Sequence, residues 1–72
     1  MISPKVVVVG AGAFGKNHVR TFAQLNALRG VVDLNQEILD SVKADYPQAA
    51  TYSSVDEALA DDASSSFVVA TP

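Results

Sequence analysis

Short apolar segments alternate with segments of helical period along the whole chain. The apolar segments predict four strands, at residues 5–9, 28–32, 49–52 and 67–70, and the segments between them predict helices at 14–26, 36–46 and 55–60. The first strand is a β-branched run without in/out alternation, which is typical of a strand buried on both faces of a parallel sheet. The order β-α-β-α-β-α-β indicates an α/β fold with right-handed crossovers.

This order predicts half of a doubly wound Rossmann fold, with parallel strands in the spatial order 3-2-1-4. The helices at 14–26 and 36–46 are then expected on one face of the sheet, and the helix at 55–60 on the other. The fourth strand becomes an exposed edge bearing Phe67, Val68 and Val69. Because such an edge can pair with another chain, we expect the protein to self-associate through it.

Helix signals mark the starts of the second and third helices. Asn35 is an expected N-cap, and Ser54 with Glu57 has the spacing of a capping box. The first helix has an expected buried stripe of Phe14, His18, Phe22 and Leu25. His18 could be a catalytic base, but its place on this stripe favours a packed histidine.

The glycine motif carries the chemistry of the sequence. Residues 10–15 read G-x-G-x-x-G between a predicted strand and a predicted helix, the context typical of dinucleotide binding. Gly10 allows the tight turn, Gly12 lets the backbone approach a pyrophosphate, and Gly15 lets the helix pack close to the strand. The N–H groups of Ala13 and Phe14 are expected to point at the phosphates. The alternative is a glycine-rich turn without a ligand.

Asp33 is the second candidate binding residue. It ends the second predicted strand, 18 residues after Gly15, close to the spacing expected for an acid that binds the adenosine ribose hydroxyls. A carboxylate there also repels a 2′-phosphate, so the sequence favours NAD over NADP. Asp33 could instead only begin a turn.

The end of the fourth strand is a third candidate. Ligands of open α/β sheets bind outside the carboxyl ends of the strands, which places Ala70 and Thr71 near the nicotinamide half, unless the strand merely ends at a proline. Asp61 and Asp62 are interpreted as a solvated turn, because two carboxylates alone do not make a metal site. The sequence predicts no metal site.

Composition narrows the class of protein. The chain has 72 residues, 49% of them apolar, a net charge of −3 and no cysteine. We therefore expect no disorder, no disulfide framework and no membrane-spanning segment. The lack of cysteine favours a cytoplasmic location. Residues 1–32 hold four bases and no acid, while all eight acids follow. Scattered bases with few aromatic residues do not predict a nucleic-acid partner.

Four segments in this order resemble the N-terminal region of the Gfo/Idh/MocA oxidoreductases: residues 8–18, 31–35, 52–59 and 68–72. The resemblance implies an NAD-binding Rossmann domain and an activity on sugars, sugar nucleotides or polyols, with the UDP-amino-sugar dehydrogenases as the most similar type. It also implies that Gly10 to Gly15 bind pyrophosphate, Asp33 the ribose, and Leu34 and Asn35 the adenine side. Ala70 and Thr71 would lie near the ribose or nicotinamide.

The family's Glu-Lys-Pro motif and its second, substrate-binding domain do not occur in these residues. Residues 1–72 are therefore expected to be one partial dinucleotide-binding domain that binds the ADP half of NAD, contains no catalytic residue and is inactive alone. The alternatives are a non-catalytic nucleotide-binding module, a self-associating folding unit, or a flavin or S-adenosylmethionine protein.

Overall fold

The computed structural model describes residues 5–10, 12, 15–61 and 65–70. Within them the elements follow in the predicted order: β1 (Val6–Val9), α1 (Gly15–Gln24), β2 (Leu28–Val32), α2 (Gln36–Asp45), β3 (Ala50–Tyr52), α3 (Val55–Asp61) and β4 (Ser66–Val69). The ends of these elements differ from the predicted ends by at most two residues. Of the predicted site residues, Ala13, Phe14 and Thr71 lie outside the described residues.

The four strands form one sheet in the order β3-β2-β1-β4. All three ladders are parallel, so the predicted half of a Rossmann fold is confirmed. β1 lies between β2 and β4, and three of its four residues are buried, as its unbroken valine run predicts. β4 pairs with β1 alone and is an edge of this sheet.

Two apolar clusters lie on opposite faces of the sheet. The larger joins Val8 and Val31 of the sheet to Val19 of α1 and to Leu39 and Val42 of α2. The smaller joins residues of three strands to α3: Val7, Val32, Tyr52 and Ala58. The predicted division, with α1 and α2 on one face and α3 on the other, is confirmed.

The buried face of α1 differs from the predicted stripe. Val19 is buried and Phe22 half-buried, whereas His18 is exposed and Leu25 is 65% exposed. The prediction of a packed His18 is therefore wrong. Gly15 is buried at the start of α1 and lies against the chain leaving β1. This contact fixes the rotation of the helix, so positions four and seven residues later face the sheet.

Side-chain caps begin α2 and α3. Asn35 accepts the N–H of Glu37 at 2.9 Å, which confirms it as the N-cap. Ser54 Oγ accepts the N–H of Glu57 at 3.2 Å, as predicted. The Glu57 carboxylate, however, accepts the hydroxyl and the backbone N–H of Ser53 instead of the N–H of Ser54. These bonds favour the ionised form, so the pKa of Glu57 lies below its usual value of 4.5.

β2 contains an extra residue relative to β1. Val6 and Val7 are consecutive, yet they pair with Leu28 and Gly30, which leaves Arg29 as a bulge. Leu28 packs against the larger cluster, while the Arg29 guanidinium reaches Asp61 of α3 at 3.2 Å. Because of the bulge, Arg29 and Gly30 both face the side of α3, and Leu28 faces the same side of the sheet as Val31.

Asp61 connects α3 to the sheet. Its carboxylate accepts the Tyr52 hydroxyl at 2.5 Å as well as the Arg29 guanidinium. Asp61 is exposed, as predicted, but its assignment to a turn is wrong, because it ends α3; Asp62 lies outside the described residues. Gly30 allows this arrangement, since a Cβ there would lie 2.9 Å from Tyr52 Cε2.

Candidate dinucleotide site

The carboxyl ends of the strands meet at one edge of the sheet. Hydrogen bonds extend each ladder past the strand ends: Gly10 N–H donates to Val32 O at 2.7 Å and Ala70 N–H to Val9 O at 2.9 Å. Because Gly10 is bonded to the residue before Asp33, the glycine turn and the carboxylate leave the sheet side by side. β1 has β2 on one side and β4 on the other, so this edge contains the point where the strand order reverses.

Gly10 and Gly15 close the turn between β1 and α1. Gly10 has φ 91, a left-handed conformation that favours glycine. A Cβ on Gly15 would lie 1.6 Å from the Gly10 carbonyl oxygen, so α1 approaches β1 more closely than any side chain permits. The predicted roles of Gly10 in the turn and of Gly15 in helix packing are both confirmed.

Gly12 begins the helical ladder and faces open space. Its carbonyl accepts the N–H of Lys16 at 3.0 Å, so Gly12 lies at the N-terminal end of the hydrogen-bond ladder of α1. A Cβ on Gly12 would meet no described atom within 4 Å. Packing against the described residues therefore does not require a glycine at this position. A helix start of this kind attracts anions.

Asp33 lies on the adjacent strand end, held by two backbone contacts. Its N–H donates to Tyr52 O at 3.1 Å, which extends the β2–β3 ladder by one residue. Its Oδ1 accepts the N–H of Asn35 at 2.9 Å. The next residue, Leu34, is 93% exposed and presents an apolar side chain beside the carboxylate.

Ala70 has a packing contact at the same edge. It is 8% exposed, and its Cβ would lie 3.6 Å from a Cβ at Gly15, so it lies under the start of α1. The structure thus brings Gly10, Gly12, Gly15, Asp33 and Ala70 to one edge, whereas exposed His18 lies on α1 beyond the turn.

A groove of about 400 Å³ adjoins the glycine turn on the face that carries α1 and α2. Gly12 and Lys16 line one end, and Val19, Ile38 and Val42 line its apolar floor. Asp33 is not among the described residues that line this groove.

Within the described ranges, no helix is long and apolar enough to cross a membrane. The same residues contain no group of three His, Asp or Glu side chains placed to hold a metal ion.

The contacts of Arg29, Tyr52 and Asp61 were not predicted from the sequence. They depend on which face of the sheet each side chain occupies, and no sequence motif marks them. The interruption of an apolar strand by Arg29 and Gly30 was the available signal, since such interruptions mark bulges.

The model of the Gfo/Idh/MocA family, described as an oxidoreductase family with an NAD-binding Rossmann fold, matches residues 4–72. The chain belongs to the Gfo/Idh/MocA oxidoreductases. In this family the glycine turn and the strand ends described above form part of an NAD-binding domain, so NAD is the cofactor of this fold. No curated protein matches the chain.

Two solved structures of similar proteins extend the comparison. The WlbA dehydrogenase from Bordetella pertussis, solved with NADH and UDP-GlcNAcA, is 30% identical with a TM-score of 0.79; the match covers 99% of this chain and 22% of that one. GenD2 from gentamicin A biosynthesis, solved with NAD, is 32% identical with a TM-score of 0.78, and the match covers 100% and 21% of the two chains. This Gfo/Idh/MocA chain therefore spans about a fifth of these relatives.

Proposed function

We propose that this chain binds the ADP half of NAD for an oxidoreductase that transfers hydride between the nicotinamide and a sugar, sugar nucleotide or polyol. NAD supplies the redox chemistry, and the residues of this chain bind and orient it. One observation carries the proposal: the turn closed by Gly10 and Gly15 leaves Gly12 open at a helix start, one strand away from the Asp33 carboxylate. The sugar-nucleotide substrate class is supported by the UDP-GlcNAcA bound to WlbA.

Each site residue has a proposed role. Backbone N–H groups after Gly12, those of Ala13 and Phe14, donate to the diphosphate. Asp33 accepts both hydroxyls of the adenosine ribose. Leu34 covers one side of the adenine, which its 93% exposure supports, and Asn35 lies on the same side. Ala70 and Thr71 are proposed to lie beside the ribose and nicotinamide in the second half of the NAD molecule.

Titration calorimetry of the purified chain with ADP, NAD and NADP tests this proposal. We expect ADP and NAD to bind and NADP to bind more weakly, because its 2′-phosphate meets the carboxylate of Asp33. Hydrogen bonds to a charged group contribute about 1.5–3 kcal/mol, so Asp33→Asn should weaken ADP binding about 10- to 100-fold. The same change should narrow the gap between NAD and NADP.

Asp45→Asn is the matched control, because Asp45 is exposed at the opposite end of α2 and the same charge is removed. It should leave all three affinities at the wild-type values. A folded wild-type chain with no detectable ADP binding would contradict the proposal, and so would an Asp33→Asn variant that binds ADP as tightly as the Asp45→Asn control.

We also propose that the chain self-associates through β4. β4 is an edge strand, and Val69 on it is 67% exposed. Sedimentation velocity should give a dimer or larger species for the wild type and a monomer for Val69→Lys, since charged residues block edge pairing. Leu25→Lys is the control, because Leu25 is equally exposed but lies beyond α1. A monomeric wild-type chain at all concentrations would refute self-association.

A further inference from the structure

Asn35 joins Asp33 to α2 through hydrogen bonds on both sides, and its carbonyl also accepts the N–H of Leu39 at 3.2 Å. Its backbone N–H donates to Asp33 Oδ1 at 2.9 Å, and its side-chain Oδ1 accepts the N–H of Glu37 at 2.9 Å. One residue therefore joins the carboxylate at the end of β2 to the first turn of α2. Its own backbone is extended, with φ −91 and ψ 112, as an N-cap requires.

Packing does not fix this turn. Leu34 is 93% exposed, so the residue between Asp33 and Asn35 has almost no contact with the core. The hydrogen bond from the Asn35 N–H is therefore a contact that orients the Asp33 carboxylate relative to the start of α2. Two contacts hold the Asn35 backbone relative to α2: the side-chain cap on Glu37 and the carbonyl that accepts the N–H of Leu39.

We propose that Asn35 is a positioning residue that orients the Asp33 carboxylate toward the ribose diol of an adenine nucleotide. This inference rests on the proposed function, because it assumes that Asp33 binds the diol. A carboxylate that accepts two neighbouring hydroxyls must direct both of its oxygens toward the diol at the same time. Fixing Oδ1 before the nucleotide arrives removes the cost of ordering the side chain on binding.

The test compares two ligands, ADP and 2′,3′-dideoxy-ADP, which differ only in the hydroxyls that Asp33 is proposed to accept. Asn35→Pro removes the donor N–H and the cap, and Asn35→Ala removes only the cap. We expect Asn35→Pro to weaken ADP binding about tenfold and Asn35→Ala about threefold, as the loss of one hydrogen bond to a charged group predicts. Binding of dideoxy-ADP should change less than about twofold in both variants.

Two further variants separate positioning from stability. Ser54→Ala removes the equivalent cap of α3, where Ser54 Oγ accepts the N–H of Glu57, and it should not change the ratio of ADP to dideoxy-ADP affinity. Asn35→Ser restores a capping oxygen and should recover most of the ADP affinity lost in Asn35→Ala. Because Asn35→Ala keeps the backbone N–H, its comparison with Ser54→Ala decides the question if Asn35→Pro does not fold.

The outcomes are distinguishable from failure of the proposed function. Equal losses for ADP and dideoxy-ADP in the Asn35 variants would overturn the positioning role and assign Asn35 to stability alone. Unchanged ADP affinity in folded Asn35→Ala would overturn it as well. A wild-type chain that binds ADP and dideoxy-ADP equally would instead show that Asp33 does not recognise the diol, which overturns the proposed function and this inference together.

Discussion

Replacing Gly15 with alanine places a methyl group inside the turn that precedes α1. The new Cβ would lie 1.6 Å from the Gly10 carbonyl oxygen and 2.6 Å from its carbon. Real Cβ atoms essentially never approach closer than 3.0 Å, so the start of α1 must move away from β1 by at least about 1.4 Å. The obstacle is backbone, so no rotamer change relieves it.

The expected loss of stability follows from two opposing effects. Overpacking a core costs about 1–3 kcal/mol, and a backbone clash lies at the upper end of this range. Alanine returns about 1 kcal/mol of helix propensity relative to glycine. The net loss is therefore about 2 kcal/mol, which lowers the Tm of a domain of this size by about 8–16 °C.

Thermal unfolding followed by circular dichroism measures this change, with ADP titration at a temperature where both proteins are folded. Gly12→Ala is the matched control, since its Cβ meets no described atom within 4 Å. It should keep the wild-type Tm but weaken ADP binding tenfold or more, because the methyl group occupies the surface that faces the diphosphate. Gly15→Ala should lose both stability and binding.

A Gly15→Ala protein with the same Tm as the wild type would refute the close approach of α1 to β1. A Gly12→Ala protein that is destabilised as strongly as Gly15→Ala would refute the assignment of Gly12 to the ligand surface.

Three further predictions concern stability. Gly30→Ala brings a Cβ to 2.9 Å from the Tyr52 ring; it should cost about 1–2 kcal/mol in chemical denaturation and change the Tyr52 fluorescence, and an unaltered midpoint would contradict the contact. Asn26 has φ 56 after the end of α1. Asn26→Gly should therefore raise the Tm, and Asn26→Ala should lower the free energy of unfolding by about 1 kcal/mol. An alanine variant that melts above the glycine variant would exclude the left-handed conformation. The lowered pKa of Glu57 means that its ionised form stabilises the fold above the usual value of 4.5 and that this stabilisation is lost as the pH falls through the folded pKa. Glu57→Gln should therefore melt below the wild type at pH 7, and the difference should shrink as the pH falls below the usual value of 4.5 and through the folded pKa; a difference independent of pH would refute the role of the charge.

The order and type of elements could be predicted from the sequence because apolar period and glycine spacing act locally. The valine run of β1 predicted a central strand, and its three buried residues confirm it. The turn role of Gly10 and the packing role of Gly15 were assigned correctly because each depends on backbone geometry within a few residues, as the contact of Gly15 with Gly10 shows.

Features that depend on rotation or phase could not be predicted in this way. The stripe of α1 was assigned one position away from the buried Val19, because the contact of Gly15 with Gly10, and not the apolar pattern, sets the rotation of the helix. The hydrogen bonds of Asp61 depend on the bulge at Arg29, which exchanges the faces of two neighbouring positions. The helix and strand propensities of single residues carry no information about the rotation of α1 or the phase of β2.

The bulge has a consequence for how insertions and deletions affect this fold. β2 is two half-strands of opposite phase, with Leu28 directed to the larger cluster and Arg29 to the side of α3. Deleting Arg29 would restore a regular ladder in which Leu28, now next to Gly30, still faces the larger cluster, and the guanidinium that reaches Asp61 would be lost. The extra residue of β2 therefore adds a contact to α3 without changing which side chains of the strand face α1 and α2.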